Sequence, residues 1–181
     1  TYDHSIMSRE KLLEICKDLI EMGVKAINWT GGGEPTINPV LKEIIAYIGE
    51  NSTIKMGMFT NGTLLDKFDL FEVICQYFTW IRFSVDAGLE ASYNNIRITS
   101  KNNDWLKMLS NLEQLIAIKK QKKSSLMIGV GFVITDYNYR EIVDFANTFK
   151  SLDVDYCQYK PEITVIEKGK EQQRVDFWNK E

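Results

Sequence analysis

The residues best suited to chemistry in this sequence stand in short turns, each following a β-rich run. TGGGEPTINP (Thr30 to Pro39) follows the apolar run AINW. TNGT follows IKMGMF, AG closes WIRFSVD, DYN follows LMIGVGFVIT, and KPE follows VDYCQY. In the first turn, three consecutive glycines leave backbone unshielded and permit positive φ and close approach. Pro35 removes a donor and stiffens the exit, while Glu34 supplies an acceptor. The stretch lacks the lysine of a phosphate-binding loop, and its carboxylate would repel an anion. It suits an ammonium group held by backbone carbonyls and Glu34. A tight glycine turn with Glu34 capping the next helix is the structural alternative.

Bulk properties set the frame. With 181 residues, the chain suits one domain with a sizeable core. A net charge of -3 with 26% charged residues gives no nucleic-acid footprint. No apolar run is long enough to span a bilayer, and no signal peptide is visible, so a cytoplasmic protein is expected. Cys16, Cys75 and Cys157 are far apart and odd in number; they read as buried small hydrophobes, with no metal-ligand spacing among them. His4 is the single histidine and reads as a surface residue. No Ser-His-Asp pattern is present.

The elements that must position these turns recur as strand then helix, five times. SREKLLEICKDLIEMG opens as a helix with Ser8 as N-cap and Gly23 as stop. A helix starting on Pro39 and ending at Gly49 follows the glycine turn. Further helices are expected near DLFEVICQY, over DWLKMLSNLEQLIAIKKQKK and over YREIVDFANTFKSL, and VDYCQYKPEI reads as the last strand. The lysine-rich stretch Lys119 to Lys123 reads as a solvated helix end. Alternation of strand and helix predicts parallel strands with right-handed crossovers. The opening helix is expected to follow a strand lying upstream. Residues 1–166 form the barrel-like domain in this reading, and 167–181 a charged tail leading to a further segment.

Alternation within strands locates a polar face. In WIRFSVD, Ile81, Phe83 and Val85 point one way, and Arg82, Ser84 and Asp86 the other. Asn28 with Thr30, and Gln158 with Lys160, extend the polar side. Gly129 and Gly131 on LMIGVGFVIT leave space there, which inside a barrel can hold a ligand. A buried parallel strand is usually apolar on both faces, and inward polar groups are costly unless satisfied. The strand C-terminal ends, where the unusual turns fall, are where parallel α/β folds bind ligands.

Taken in order, TGGGEP, TNGT and SVDAG resemble the radical S-adenosylmethionine (radical SAM) superfamily over nearly the whole chain. The resemblance implies a partial (β/α)6 TIM-like barrel lacking its first strand in this sequence. It implies that backbone at Gly32, Gly33 and Glu34, with Pro35 stiffening the turn, holds the methionine amino group of SAM. Ser84 and Asp86 match positions that contact its ribose or carboxylate, and Arg97 matches an arginine that pairs with the carboxylate, a role suited to a guanidinium fork. A surface ion pair is the alternative for Arg97. Thr60 and Asn61 fall near the cofactor, Val133, Ile134 and the backbone near Tyr159 match the adenine region, and Gln158 and Lys160 face the substrate. The family's Cys-x3-Cys-x2-Cys loop, which ligates a [4Fe-4S] cluster, is absent; no metal ligand is assigned in this chain, and the cluster is expected in the intact protein.

The activity so implied is a metal-dependent oxidoreductase chemistry. A reduced iron–sulfur cluster, fed by an external electron donor, cleaves SAM to a 5′-deoxyadenosyl radical that abstracts hydrogen from a substrate the sequence does not name. No catalytic acid, base or nucleophile is required of the protein for that step. Two alternatives stay open: an inactive SAM- or nucleotide-binding barrel acting as scaffold, and a conventional barrel lyase or isomerase using Glu34, Asp86 and Lys160.

Overall fold

Apolar residues at helical and strand spacing fix where each element lies. In the computed structural model, which describes residues 6–97 and 103–162, the order is α1 (Arg9–Glu21), β1 (Ala26–Trp29), α2 (Leu41–Asn51), β2 (Lys55–Thr60), α3 (Phe71–Tyr77), β3 (Phe78–Ser84), α4 (Glu90–Ile96), α5 (Asp104–Lys122), β4 (Met127–Ile134), α6 (Ile142–Ser151) and β5 (Tyr156–Pro161). Short 3₁₀ turns at Pro35–Ile37 and Tyr139–Glu141 precede α2 and α6. The expected tail, 167–181, and His4 lie outside the described residues.

The five strands form one sheet in the order β1-β2-β3-β4-β5, and every neighbouring pair is parallel. Each crossover therefore advances the sheet in the same direction. That is the winding of a barrel; a doubly wound sheet would reverse its strand order part-way. Ile81 and Phe83 on β3 and Ile128, Val130 and Phe132 on β4 are buried on the helix side. They join one core with Leu41, Ile44, Ile45 and Ile48, the buried stripe of α2. Burial of those four α2 side chains is worth roughly 6–12 kcal/mol before chain entropy is subtracted.

The helix signals are mostly met. Ser8 caps α1, its hydroxyl accepting from the Lys11 N–H at 3.3 Å, and Gly23 takes φ +70° after the last turn. Lys119, Lys120 and Lys122 end α5 and pair with Asp155, Asp153 and Glu72. Two expectations shift. α2 begins at Leu41 rather than Pro39, because Asn38 accepts from the Val40 N–H and donates to the Met7 carbonyl, holding the chain in a turn. It also runs past Gly49 to Asn51; Gly49 is glycine because a Cβ there would lie 2.2 Å from the Tyr77 ring. Helix α4 is an addition, and it matters because it carries Arg97 at its C-cap.

Candidate cofactor-binding site

On the concave face, the register places Gly57 and Phe59 beside Trp80 and Arg82, then Gly129 and Gly131, then Tyr156 and Gln158. Of the two inward glycines expected to leave space, Gly129 does not, whereas a Cβ on Gly131 would meet nothing nearer than 3.5 Å. A Cβ on Gly57 would lie 2.1 Å from the Trp80 ring and one on Gly129 2.1 Å from the Tyr156 ring. The bare positions let large rings from the next strand lie flat against the sheet. Open space begins one layer higher, at the strand C-terminal ends.

The glycine turn sits there. None of Gly31, Gly32 and Gly33 has positive φ, so left-handed backbone is not why they are glycine. Packing does not explain them either, since a Cβ on Gly32 or Gly33 would meet nothing within 4 Å. The backbone bonds of the turn resume only at Glu34, whose carbonyl accepts from Ile37. What remains is bare backbone facing open space.

Glu34 does what the structural alternative describes. Its Oε1 accepts from the Thr36 N–H at 3.1 Å, the Thr36 hydroxyl at 2.6 Å and the Thr60 hydroxyl at 2.7 Å. Its Oε2 accepts from the Asn61 N–H at 2.6 Å. The carboxylate thus ties the glycine turn to the end of β2 and caps the 3₁₀ turn; four donors already occupy it. Thr60 in turn accepts from the Gly62 N–H, and the Asn61 side chain accepts from the Thr63 N–H and hydroxyl. Gly62, at φ +76°, closes this second turn.

Asp86 departs from the strand alternation. β3 ends at Ser84, and Asp86 takes φ +64°, a left-handed conformation that aspartate tolerates. Its carboxylate is turned toward β4, accepting from the Val133 N–H at 2.8 Å and pairing with Arg97 at 2.9 Å. Asn138, which is 1% exposed, locks this corner. Its amide donates to the carbonyls of Asp86 and Val133, and its oxygen accepts from the Thr135 N–H. Glu141 holds the following loop through the N–H groups of Gly88 and Leu89 and the Ser92 hydroxyl. Arg97 also lies against the Tyr93 ring, 5.8 Å from its centroid, and its Nε is buried with no partner among the described residues.

Thr30, Gly33, Glu34, Pro35, Phe59, Thr60, Asn61, Ser84 and Arg97 line one open hollow of about 230 Å³. Seven of these residues were expected from sequence. Thr30, placed on the polar side with Asn28, and Phe59 were not assigned to the cofactor; the register of β2 with β3 sets Phe59 beside Arg82. Asp86 stands behind Arg97 as its partner, outside the lining. Val133, Ile134 and Lys160 also lie outside it, and the Val133 N–H is already committed to Asp86. Tyr159 turns its ring to the helix layer, against Phe132 and Phe145, and its hydroxyl donates to the Ile142 carbonyl. Asn138 and Glu141 were missed; the unusual DYN turn was the available signal.

A family model described as the radical SAM superfamily matches residues 1–148. This chain is a member of that superfamily. Among curated relatives, molybdenum cofactor biosynthesis protein 1 of Drosophila melanogaster is 22% identical over 161 residues, covering 87% of this chain and 27% of its own. A probable GTP 3′,8-cyclase of Methanococcus maripaludis is 26% identical over 153 residues, covering 84% and 45%. The chain therefore spans less than half the length of these relatives. Two solved structures share the fold. Native anSMEcpe with bound AdoMet and Kp18Cys peptide has a TM-score of 0.65 at 22% identity, covering 92% of this chain and 47% of that one. Streptococcus suis SuiB bound to S-adenosylmethionine has a TM-score of 0.62 at 16% identity, covering 94% and 38%. The five-stranded sheet is thus the partial barrel of the radical SAM fold.

The described residues hold no group of three or more His, Cys, Asp or Glu able to bind a metal ion. Cys16 and Cys75 are buried in helices, and Cys157 is half-buried in β5. Burial pushes all three thiols up, that of Cys75 to about 11, away from the thiolate form a cluster ligand needs. No described helix is long and apolar enough to cross a membrane.

Proposed function

We propose that the hollow binds the SAM cofactor and that the intact protein is a radical SAM enzyme. The observation that carries this is the glycine turn. Gly32 and Gly33 are demanded neither by φ nor by contact with the rest of the described chain, so their bareness is matched to something that approaches the backbone from outside. The carbonyls of this turn suit an ammonium group. Arg97, with one edge on Asp86 and an unpartnered Nε, suits a carboxylate across the same hollow. Ser84, whose side chain has no described partner, suits a hydroxyl. An amino-acid head with a ribose presents these three groups together.

Bound at this place, SAM would supply carbon–sulfur cleavage, with the electron coming from a reduced iron–sulfur cluster held outside the described residues, and through it hydrogen-atom abstraction. The chain's own residues bind and orient. Glu34 fixes the glycine turn against β2, Asp86 and Asn138 fix Arg97 and the end of β4, and Phe59 gives the hollow an apolar wall. The described residues fit SAM and do not fit the cluster. The relatives' names point to a nucleotide for one set, while anSMEcpe is seen with a peptide, so the proposal is the step they have in common.

The test is SAM binding by anaerobic equilibrium dialysis with the full-length protein, followed by product analysis after reduction. Wild type is expected to bind SAM and release 5′-deoxyadenosine. Arg97→Met is expected to weaken binding about tenfold, equivalent to ~1.4 kcal/mol for a charge-assisted bond. Full-length protein that holds no iron and leaves SAM uncleaved would instead support the scaffold.

A further inference from the structure

The concave face holds a cation that the SAM site does not use. Arg82 is half-buried on β3, two residues before Ser84, hence one side-chain layer, about 6–7 Å, below the hollow. Its guanidinium carbon stands 4.2 Å from the centroid of the Phe59 ring, and that ring meets Trp80 at 4.8 Å. On the other side, Arg82 is in register with Gly129, against which the Tyr156 ring lies. A Cβ on Gly131 would approach the Arg82 Nε to 3.5 Å. Aromatic rings thus flank the side chain on both sides, and glycines clear the sheet beneath it.

No carboxylate among the described residues pairs with this guanidinium. Arg97 takes Asp86, and the other described ion pairs engage Arg9 and lysines. Burial pulls the Arg82 pKa down, yet a guanidinium stays charged in proteins. Asp86 and Tyr156 favour this half-buried, permanent charge only through space, and among the described residues its five donors make no hydrogen bond. A second unmet group lies near. Gln158, in register with Gly131, has a buried Oε1 with no hydrogen-bond donor. A cation and an acceptor flank the same glycine on the face that looks into the barrel.

We propose that Arg82 docks an oxyanion of the substrate, a carboxylate or a phosphate, beneath the hollow, with Gln158 accepting a hydrogen bond from an adjacent hydroxyl or amine of the same molecule. The inference rests on reading the concave face as the substrate side of the SAM site. It narrows the substrate to an anionic molecule with a neighbouring donor. The anion would approach the guanidinium edge, since Phe59 covers one of its faces. The aromatic flanks lower the local dielectric and strengthen that contact.

The test uses the full-length protein, prepared anaerobically, with inorganic phosphate, pyrophosphate and succinate as probes. Tryptophan fluorescence reads binding, since Trp80 adjoins Phe59. Wild type is expected to respond saturably to at least one probe. Arg82→Met is expected to weaken that response at least about tenfold and Arg82→Lys about threefold, because lysine keeps the charge and loses the fork. SAM affinity is expected to stay within about twofold in both variants, as the SAM site lies one layer away. A stronger response to phosphate than to succinate identifies a phosphate ligand, and the reverse a carboxylate. Equal anion binding in wild type and Arg82→Met, or no saturable response in wild type, overturns the proposal. So does a parallel loss of SAM affinity in both variants, which would place Arg82 in the cofactor site. Arg82-dependent anion binding in a protein that ignores SAM would uphold this inference while removing the cofactor reading.

Discussion

Replacing Glu34 separates a structural carboxylate from a cofactor ligand. Its two oxygens accept four hydrogen bonds, from the Thr36 N–H and hydroxyl, the Thr60 hydroxyl and the Asn61 N–H. In Glu34→Ala, the two hydroxyls can turn toward other acceptors, but the two backbone N–H groups cannot. Thr36 is 0% exposed, so water has little access to its N–H, whereas the Asn61 N–H lies beside the open hollow and can be partly rehydrated. Each stranded donor costs about 1–3 kcal/mol, and partial relaxation of the turn leaves a net loss of about 2–4 kcal/mol. Glu34→Gln keeps a carbonyl oxygen for the three donors on Oε1 but sets its amide against the Asn61 N–H, for a loss of about 1–2 kcal/mol. The assay is urea denaturation of the full-length protein without SAM. At a slope of about 2 kcal/mol per molar, the midpoint should fall about 1–2 M for alanine and about half that for glutamine. The reasoning fails if Glu34→Ala unfolds at the wild-type midpoint and loses only SAM affinity. The carboxylate would then be a ligand and not the tie between two turns.

Two further outcomes follow from the packing. Gly57→Ala should destabilise by about 1–3 kcal/mol in thermal unfolding, because its Cβ would lie 2.1 Å from Trp80; adding Trp80→Leu should recover part of that loss. Cys75, 5% exposed, holds its proton up to about 11 when folded, against an ordinary value of 9.0. Its contribution is present in full below pH 9 and is lost as pH rises toward 11. The two units at ~1.4 kcal/mol each bound the loss at about 2–3 kcal/mol, and Cys75→Ala should flatten stability over that window in a pH series of urea melts.

Much of the site was legible because its signals are local. A glycine has no side chain whatever surrounds it, and strand periodicity assigns faces without knowledge of neighbours; Ser84 and Arg82 emerge on the concave side for that reason. The failures share one cause. Asp86 leaves the alternation because a single left-handed residue redirects its side chain to a partner 11 positions on, and alternation cannot register such a turn. The space expected at Gly129 is filled by the Tyr156 ring of the adjacent strand, and nothing near that glycine in the chain announces the ring.

By itself, the order of residues determined the parallel strand–helix alternation, the rim at which the unusual turns gather and the family they resemble. These depend on spacing along one chain, which backbone geometry converts directly into elements and faces. Only the tertiary structure decided that Glu34 is spent on Thr36, Thr60 and Asn61, that Asn138 locks the corner behind Arg97, and that Arg82 pairs with no carboxylate among the described residues. A hydrogen bond between residues 27 or 52 positions apart exists only once the sheet has brought strand ends together, so its selection belongs to packing rather than to pattern.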